Sequence, residues 1–302
     1  MTVQTEATKI HAAPAGLRGR AADLAELAKI RITGMVALTA AAGFDLAPQP
    51  IDWEKFIFTV LGTTLVSSGA GALNQVVERD LDSRMRRTEH RPIPSGRMSE
   101  GFATVLALAF AILGQVFLLL FVNTLTAALA AGCLLFYVGV YTPLKTRTAW
   151  NTLVGAVAGA IPPVLGWTGA TGSLDVPAFV LFGILFLWQL PHFFAIAWLY
   201  KDDYASAGYQ MLPVIDKMGR KTGIQTLVYT ILLIIVAALP YALGLAGVYY
   251  FAGSLAAGLV FLFYAILLLR GKTRVQARKV LLASVVYLPV VLSLLVIDKT
   301  GN

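Results

Sequence analysis

Charge is what this chain has least of. Asp, Glu, Lys and Arg make up 13% of its 302 residues, while 58% are hydrophobic. Soluble domains carry about 25% charge, so there is too little polar surface here to keep a globule in water. Cysteine is almost missing as well. The single thiol, Cys133, sits in an apolar run, which excludes an internal disulfide framework and a Cys-based zinc site. No polar stretch between the apolar runs reaches the roughly 50 residues that a folded soluble domain needs. Residues 1–25 lack the apolar core of a signal peptide, so residues 1–26 are expected to form a flexible cytoplasmic tail, with Ala21 to Ala28 as a short surface helix.

Long apolar windows are what the chain does have. About nine helices are expected, at roughly 28–46, 56–78, 100–120, 124–142, 151–170, 177–200, 222–244, 248–269 and 280–297. Each is long enough for a ~30 Å hydrocarbon core, and lipid offers no partner for an unpaired backbone group, so the spans must be helical. The expected fold class is all-α, a polytopic membrane helix bundle, with residues 27–302 as one transmembrane domain. The formal net charge of +8 would suit nucleic acid if it were spread over a face. It is not. With the N-terminus in the cytoplasm, all of the 24 Lys and Arg except Lys55 and Lys299 fall on the cytoplasmic side, as the positive-inside rule requires. The partner implied is the bilayer, and no nucleic acid. Arg270, Lys272, Arg274, Arg278 and Lys279 read as topology alone.

Carboxylates are not explained by that rule. In "ALNQVVERDLDSRMRRTEHRPIPSGRM", residues 72–98, Asn74, Glu78 and Asp82 recur every four residues and share one helical stripe. Asp80 lies on another face and is expected to pair with Arg84. Oxygen-only ligands at a membrane rim suit Mg²⁺, which shares carboxylates with substrate phosphates. Arg79, Arg86, Arg87, Arg91 and Arg97 behind them fit phosphate oxygens. A second acidic pair, Asp202 and Asp203, follows Lys201 in "WQLPHFFAIAWLYKDDYASAGYQMLP", residues 188–213, and "YTPLKTRTAWN" supplies Lys145 and Arg147. His192 is the one histidine in an apolar span; His11 and His90 lie in polar segments. At 100° per residue, Gln189, His192, Ile196 and Asp203 fall near one face. An imidazole at that depth is a hydrogen-bonded packing residue, a metal or haem-iron ligand, or a proton-transfer group.

These three motifs resemble the UbiA-type intramembrane prenyltransferase superfamily, and within it the branch that farnesylates haem b. The resemblance runs from about Leu27 to near the end. It implies a nine-helix bundle around a central cavity, and transfer of a farnesyl group from farnesyl diphosphate to a vinyl group of haem b, with water addition, giving haem O. Asn74, Glu78 and Asp82 match the first metal–diphosphate motif, with Asp202 and Asp203 at the second acidic region. The metal ligands implied are Asn74, Glu78, Asp82 and Asp203 around Mg²⁺. Diphosphate binding is expected from Arg79, Arg87, Arg91, Lys145, Arg147 and Lys201, and haem binding from Trp188, Gln189 and His192. Position 78 departs from the superfamily, which has aspartate where this chain has glutamate. The adjacent pair Asp202–Asp203 departs from its aspartates spaced four apart. Tyr137, Tyr141, Trp167 and Trp188 are candidates for facing the allylic cation. The expected location is a bacterial inner membrane with the active site toward the cytoplasm, and the expected partners are enzymes of haem A or terminal oxidase biogenesis. The rival readings are a prenyltransferase with another acceptor, an ion or proton transporter, and a haem-delivery protein.

Overall fold

The computed structural model describes residues 16–47 and 50–300. His11 and most of the expected tail lie outside the described residues. Among those described there is no β-strand, only an isolated bridge between Ala246 and Lys299. Eight helices are long and apolar enough to cross a membrane, or nine if a bent pair at the start counts as one span. The expected all-α membrane bundle is the one observed.

The bent pair is α1 (Leu17–Leu27) and α2 (Ile30–Asp45), which meet at 52°. The bend sits at Lys29, whose φ of 52° is left-handed and costs an L-residue roughly 1–2 kcal/mol. One helix was expected over 28–46, and a shorter one over 21–28; neither pattern reveals the bend. α3 (Trp53–Val77) starts at an Asp52 cap that accepts from the Lys55 amide, and a single turn, α4 (Arg79–Asp82), follows it. α5 (Glu100–Phe121) and α6 (Thr124–Phe136) are capped by Ser99 and Asn123. α6 continues through a π-helical segment, Tyr137–Tyr141, into α7 (Thr142–Leu144).

The expected span at 151–170 is two helices, α8 (Asn151–Gly159) and α9 (Ile161–Thr171). Pro162 and Pro163 at the start of α9 cannot donate backbone hydrogen bonds, so the first helix stops before them. α10 (Val176–Leu199) passes through Pro191 without ending, and leads to α11 (Lys201–Ser206) and α12 (Leu212–Ile215). α13 (Arg220–Ala237) and the short α14 (Leu239–Ala242) precede α15 (Val248–Gly271). α16 (Arg274–Ile297) begins six residues before the expected 280, because Thr273 and Gln276 close a capping box there. Arg274, Arg278 and Lys279 are therefore helical rather than in a loop.

Lipid supplies little drive for helices to associate, so close approach of small residues does it instead. α3 and α5 show this best. A Cβ on Gly114 would lie 2.6 Å from the Gly62 carbonyl oxygen, so the two backbones touch where no side chain intervenes. α2 packs along α9, α10 packs on α13 and α16, and α16 also meets α2, which brings the last span back to the first. Trp167, Ile184, Phe261 and Tyr287 lie in the largest core cluster, while Leu120, Leu135 and Val286 face outward.

Gly114→Ala is therefore expected to lower the thermal unfolding midpoint in detergent by several degrees, since overpacking costs about 1–3 kcal/mol. Gly132→Ala is the control, because a Cβ there meets nothing within 4 Å. An unchanged midpoint in Gly114→Ala would show that α3 and α5 are not held at this distance.

Candidate active site

The carboxylate stripe survives the break between α3 and α4. The Glu78 amide donates to the Asn74 carbonyl at 2.9 Å, and the Asp82 amide to the Glu78 carbonyl at 2.8 Å. Helical spacing thus runs unbroken through all three residues, and they line one polar pocket at the Lys- and Arg-rich end of the bundle. Asn74, Glu78 and Asp82 are exposed by only 2%, 4% and 1%. Ionised carboxylates buried so deeply require partners.

Each has one. Lys145 Nζ lies 2.7 Å from Glu78 Oε1 and 2.9 Å from Oε2. Arg91 donates to Asp82 Oδ2 at 2.6 Å. Lys29 Nζ donates to Asn74 Oδ1 at 2.9 Å, and Asn74 Nδ2 donates to Thr142 Oγ1 at 3.1 Å. Arg87 also lines the pocket, with its guanidinium over the Tyr200 and Tyr204 rings. Arg87, Arg91 and Lys145 thus face two carboxylates together with Lys29, whose ammonium pKa burial and the neighbouring cations lower to about 7, and the surplus of positive charge favours an anionic ligand.

Burial pushes the Asp82 carboxyl above its ordinary range, while Arg91 opposes that shift. Burial would lower Lys145, but the Glu78 carboxylate outweighs it and holds the ammonium above the usual lysine range. The Tyr209 phenol, which also lines the pocket, is pushed upward by burial and by the neighbouring carboxylates.

The backbone fixes these groups in place. Met85, Ile93 and Met98 bury themselves between helices and pin the loop that carries Arg87 and Arg91. Thr88 donates to the Asp82 carbonyl at 2.9 Å, and Arg97 pairs with Asp23 of α1 at 2.9 Å. Gly208, with φ of 79°, makes the left-handed turn after α11 that only glycine adopts cheaply. The next residue but one, Gln210, donates its amide to the Lys145 carbonyl at 2.8 Å. That bond sets Tyr209 beside Lys145.

Not every expected residue arrives here. Arg79 turns to Glu100 at 3.2 Å and to Asp80 at 3.8 Å, outside the pocket. Asp80 accordingly pairs with Arg79 rather than the expected Arg84. Arg86 and Arg147 are exposed, and Lys201 lies over the Trp198 ring at 5.2 Å. Asp202 reaches Arg274 at 3.9 Å, and Asp203 is half-buried and does not line the pocket. What the α11 region brings instead is Tyr204 and Tyr209. Trp167 is buried in the main core, whereas Tyr137 and Tyr141 do line the pocket. Gln189 donates to the Ala156 carbonyl at 2.8 Å, while Trp188 and His192 turn toward α16.

Lys29 went unread as a site residue because a basic residue at the first span satisfies the positive-inside pattern. It lines two cavities. One is the polar pocket. The other is an apolar chamber walled by Ile32, Val36, Val66, Ala130, Leu134 and Leu165. Tyr137 is the second residue shared by both. An anion-binding head and a hydrocarbon-lined tail meet at these two side chains.

Oxygen donors of this kind fit Mg²⁺. Glu78 Oε1 is a buried oxygen held by the Lys145 ammonium at 2.7 Å. Among the described residues no three His, Cys, Asp or Glu side chains converge; Mg²⁺ usually takes one or two carboxylates and completes its shell with substrate phosphates and water.

The chain belongs to the UbiA prenyltransferase family, whose model matches residues 36–287; the pocket and chamber belong to an intramembrane prenyltransferase. Among its relatives, the protein named protoheme IX farnesyltransferase from Solibacter usitatus is 45% identical over 289 residues, covering 92% of this chain and 99% of its own. The human mitochondrial protein of that name is 50% identical over 191 residues, covering 63% of this chain and 43% of its own. The fold matches a solved digeranylgeranylglyceryl phosphate synthase with a TM-score of 0.76 at 20% identity, covering 93% of this chain and 98% of that one. It also matches a UbiA homologue from Archaeoglobus fulgidus bound to GPP and Mg²⁺, with a TM-score of 0.60 at 12% identity, covering 90% and 99%.

Lys145→Ala is expected to destabilise the protein by about 3–5 kcal/mol, because Glu78 is left buried and unpaired. Adding Glu78→Gln should recover most of that loss without restoring prenyl transfer. A chemical-denaturation series on the single and double variants, with activity assays alongside, checks both. Recovery of transfer in the double variant would remove the pair from the chemistry.

Proposed function

We propose that the chain transfers a farnesyl group from farnesyl diphosphate to a vinyl group of haem b, with water addition, giving haem O. The observation that carries the prenyl-transfer half is the junction at Lys29 and Tyr137, the two side chains that line both the cationic pocket and the apolar chamber. The haem half is supported by the relatives named protoheme IX farnesyltransferase, which match along nearly the whole chain.

The diphosphate sits among Lys29, Arg87, Arg91 and Lys145, and the farnesyl chain lies in the chamber. Asn74, Glu78 and Asp82 would hold Mg²⁺, which when bound supplies Lewis-acid neutralisation of the leaving diphosphate. As the C1–O bond breaks, its electron pair leaves with the diphosphate, and the cationic side chains stabilise the charge that develops there. Tyr137 and Tyr141, whose ring centroids are 5.2 Å apart, face the allylic cation, and the apolar wall excludes water from it. The haem vinyl π electrons then bond to C1. Water adds to the resulting carbocation beside the porphyrin and loses a proton, leaving the hydroxyl of haem O.

The Lys- and Arg-rich end faces the cytoplasm of a bacterial inner membrane in this reading, and enzymes of haem A formation or terminal oxidase assembly receive the product.

Purified protein incubated with haem b, farnesyl diphosphate and Mg²⁺ should yield a product heavier by one farnesyl and one hydroxyl group. Transfer to an aromatic acid but not to haem would support another acceptor, and ion flux in liposomes without transfer would support a transporter. A second outcome concerns pH. Asp82 must be ionised to serve as a ligand, so transfer is lost as pH falls through its raised pKa, higher than for an ordinary carboxyl. Raising Mg²⁺ should move that acid limb to lower pH, because metal and proton compete for the same oxygens. A limb that does not respond to Mg²⁺ would separate Asp82 from metal binding.

A further inference from the structure

Trp188 and His192 lie one turn apart on α10, on the side packed against α16. Their rings stack with centroids 5.0 Å apart. Both converge on one residue of α16. Trp188 Nε1 donates to the Ser284 carbonyl at 2.7 Å, and His192 Nδ1 lies 2.8 Å from Ser284 Oγ.

A serine hydroxyl has one proton to give. Ser284 gives it to the Leu281 carbonyl, at 2.6 Å. With the proton so placed, its oxygen offers lone pairs to the imidazole, and Nδ1 is the nitrogen that carries hydrogen in this arrangement. No acidic side chain among the described residues pairs with His192, so nothing compensates a positive charge and the ring is neutral. The remaining nitrogen, Nε2, then bears a free lone pair. It has no hydrogen-bond partner among the described residues, and it is not among the sealed, unpartnered atoms of the core.

This arrangement is what an imidazole needs to bind a metal. A ligating histidine donates its other N–H to an oxygen, which fixes the tautomer and raises the basicity of the ligating nitrogen. Among the described residues no group of three His, Cys, Asp or Glu side chains stands there. A lone imidazole suits an iron whose other positions are already filled by a porphyrin. The polar pocket is distant: His192 is about 15 Å along the helix from the α11 rim, at 1.5 Å per residue. Gln189, three residues before His192, bonds to the Ala156 carbonyl and abuts Gly159, which lines the chamber.

We infer that Ser284 is a positioning residue for the haem substrate: it holds the His192 Nδ1–H so that Nε2 is presented as an axial ligand to the haem iron, with the Trp188 ring bracing the imidazole. The inference rests on the proposed haem acceptor. It adds a residue of the last span to the acceptor site, and it makes iron ligation, rather than contact with the reacting vinyl, the way haem is registered against the farnesyl chain.

The test uses full-length protein in detergent, titrated with haem b and followed by the Soret band and by the iron–imidazole stretching band of the ferrous form. His192→Ala should shift the Soret band and abolish the iron–imidazole band. Ser284→Ala should keep a ligated iron but bind haem roughly tenfold or more weakly, with the iron–imidazole band moved to lower frequency as the imidazole loses its acceptor. Ser284→Thr keeps the hydroxyl and should restore both. Farnesyl diphosphate affinity, unchanged in all three variants, shows that each is folded. Wild-type haem affinity and an unmoved iron–imidazole band in Ser284→Ala would overturn the inference, as would an unshifted Soret band in His192→Ala. The product mass assay separates this from the function itself: haem O made by a protein whose iron spectrum ignores His192 keeps the acceptor and sinks the ligation, whereas wild-type protein that makes no haem O sinks the acceptor.

Discussion

Two carboxylates buried at a membrane rim set the terms for the rest of this molecule. Glu78 and Asp82 are almost fully removed from solvent, and a charge in that position is tolerated only with a counter-charge at contact distance. Lys145 and Arg91 supply it. Meeting that requirement brings the loop after α4, the turn after α7 and the turn after α11 to one point. Removing either cation would leave an uncompensated charge rather than merely a missing ligand. In the proposed reaction the same cations are on hand when substrate arrives, and the carboxylates would exchange an ammonium or guanidinium for a metal while the freed cation moves to a phosphate oxygen. Binding is in this sense an exchange of partners within a site already polarised.

The stripe itself was legible in the sequence, because four-residue spacing survives any small change at the helix end. Asn74, Glu78 and Asp82 need no tertiary information to be placed together. Arg87, Arg91 and Lys145 were named with them, but so were Arg79 and Arg147, and nothing local separates these groups. Arg79 is next to Glu78 in sequence yet on the far side of the helix, where Glu100 of α5 holds it. Lys145 is far from Glu78 in sequence and reaches it only because α7 ends beside α4. Lys29 was hidden by an adequate simpler explanation, since a lysine at the start of the first span is what topology alone requires. Its left-handed backbone and its bond to Asn74 are both tertiary facts.

The helices show a similar division. Their number and order follow from hydrophobicity, and the capping box at Thr273 could have moved the last boundary to its true place. The π-helical segment at Tyr137–Tyr141 has no comparable signal. It carries both tyrosines that line the polar pocket. Asp202 and Asp203 group with the first acidic site in the sequence because both acidic pairs end a span on the same side, and the geometry instead brings Tyr204 and Tyr209 to the pocket. With solved members of the wider family sharing this fold at 12% to 20% identity, it is the shape of the bundle that is common.

The loop carrying Arg87 and Arg91 is anchored from within. Met85, Ile93 and Met98 are buried, Thr88 is tied to the Asp82 carbonyl, and Arg97 is tied to α1. Fixing the backbone of a free residue costs about 1–2 kcal/mol, so a mobile loop of this length would consume much of the energy with which its arginines grip an anion. Here that ordering is completed when the chain folds. In the proposed reaction the arginines would meet an incoming anion already in place, and the interaction energy would remain for the transition state, where the leaving group gains its charge.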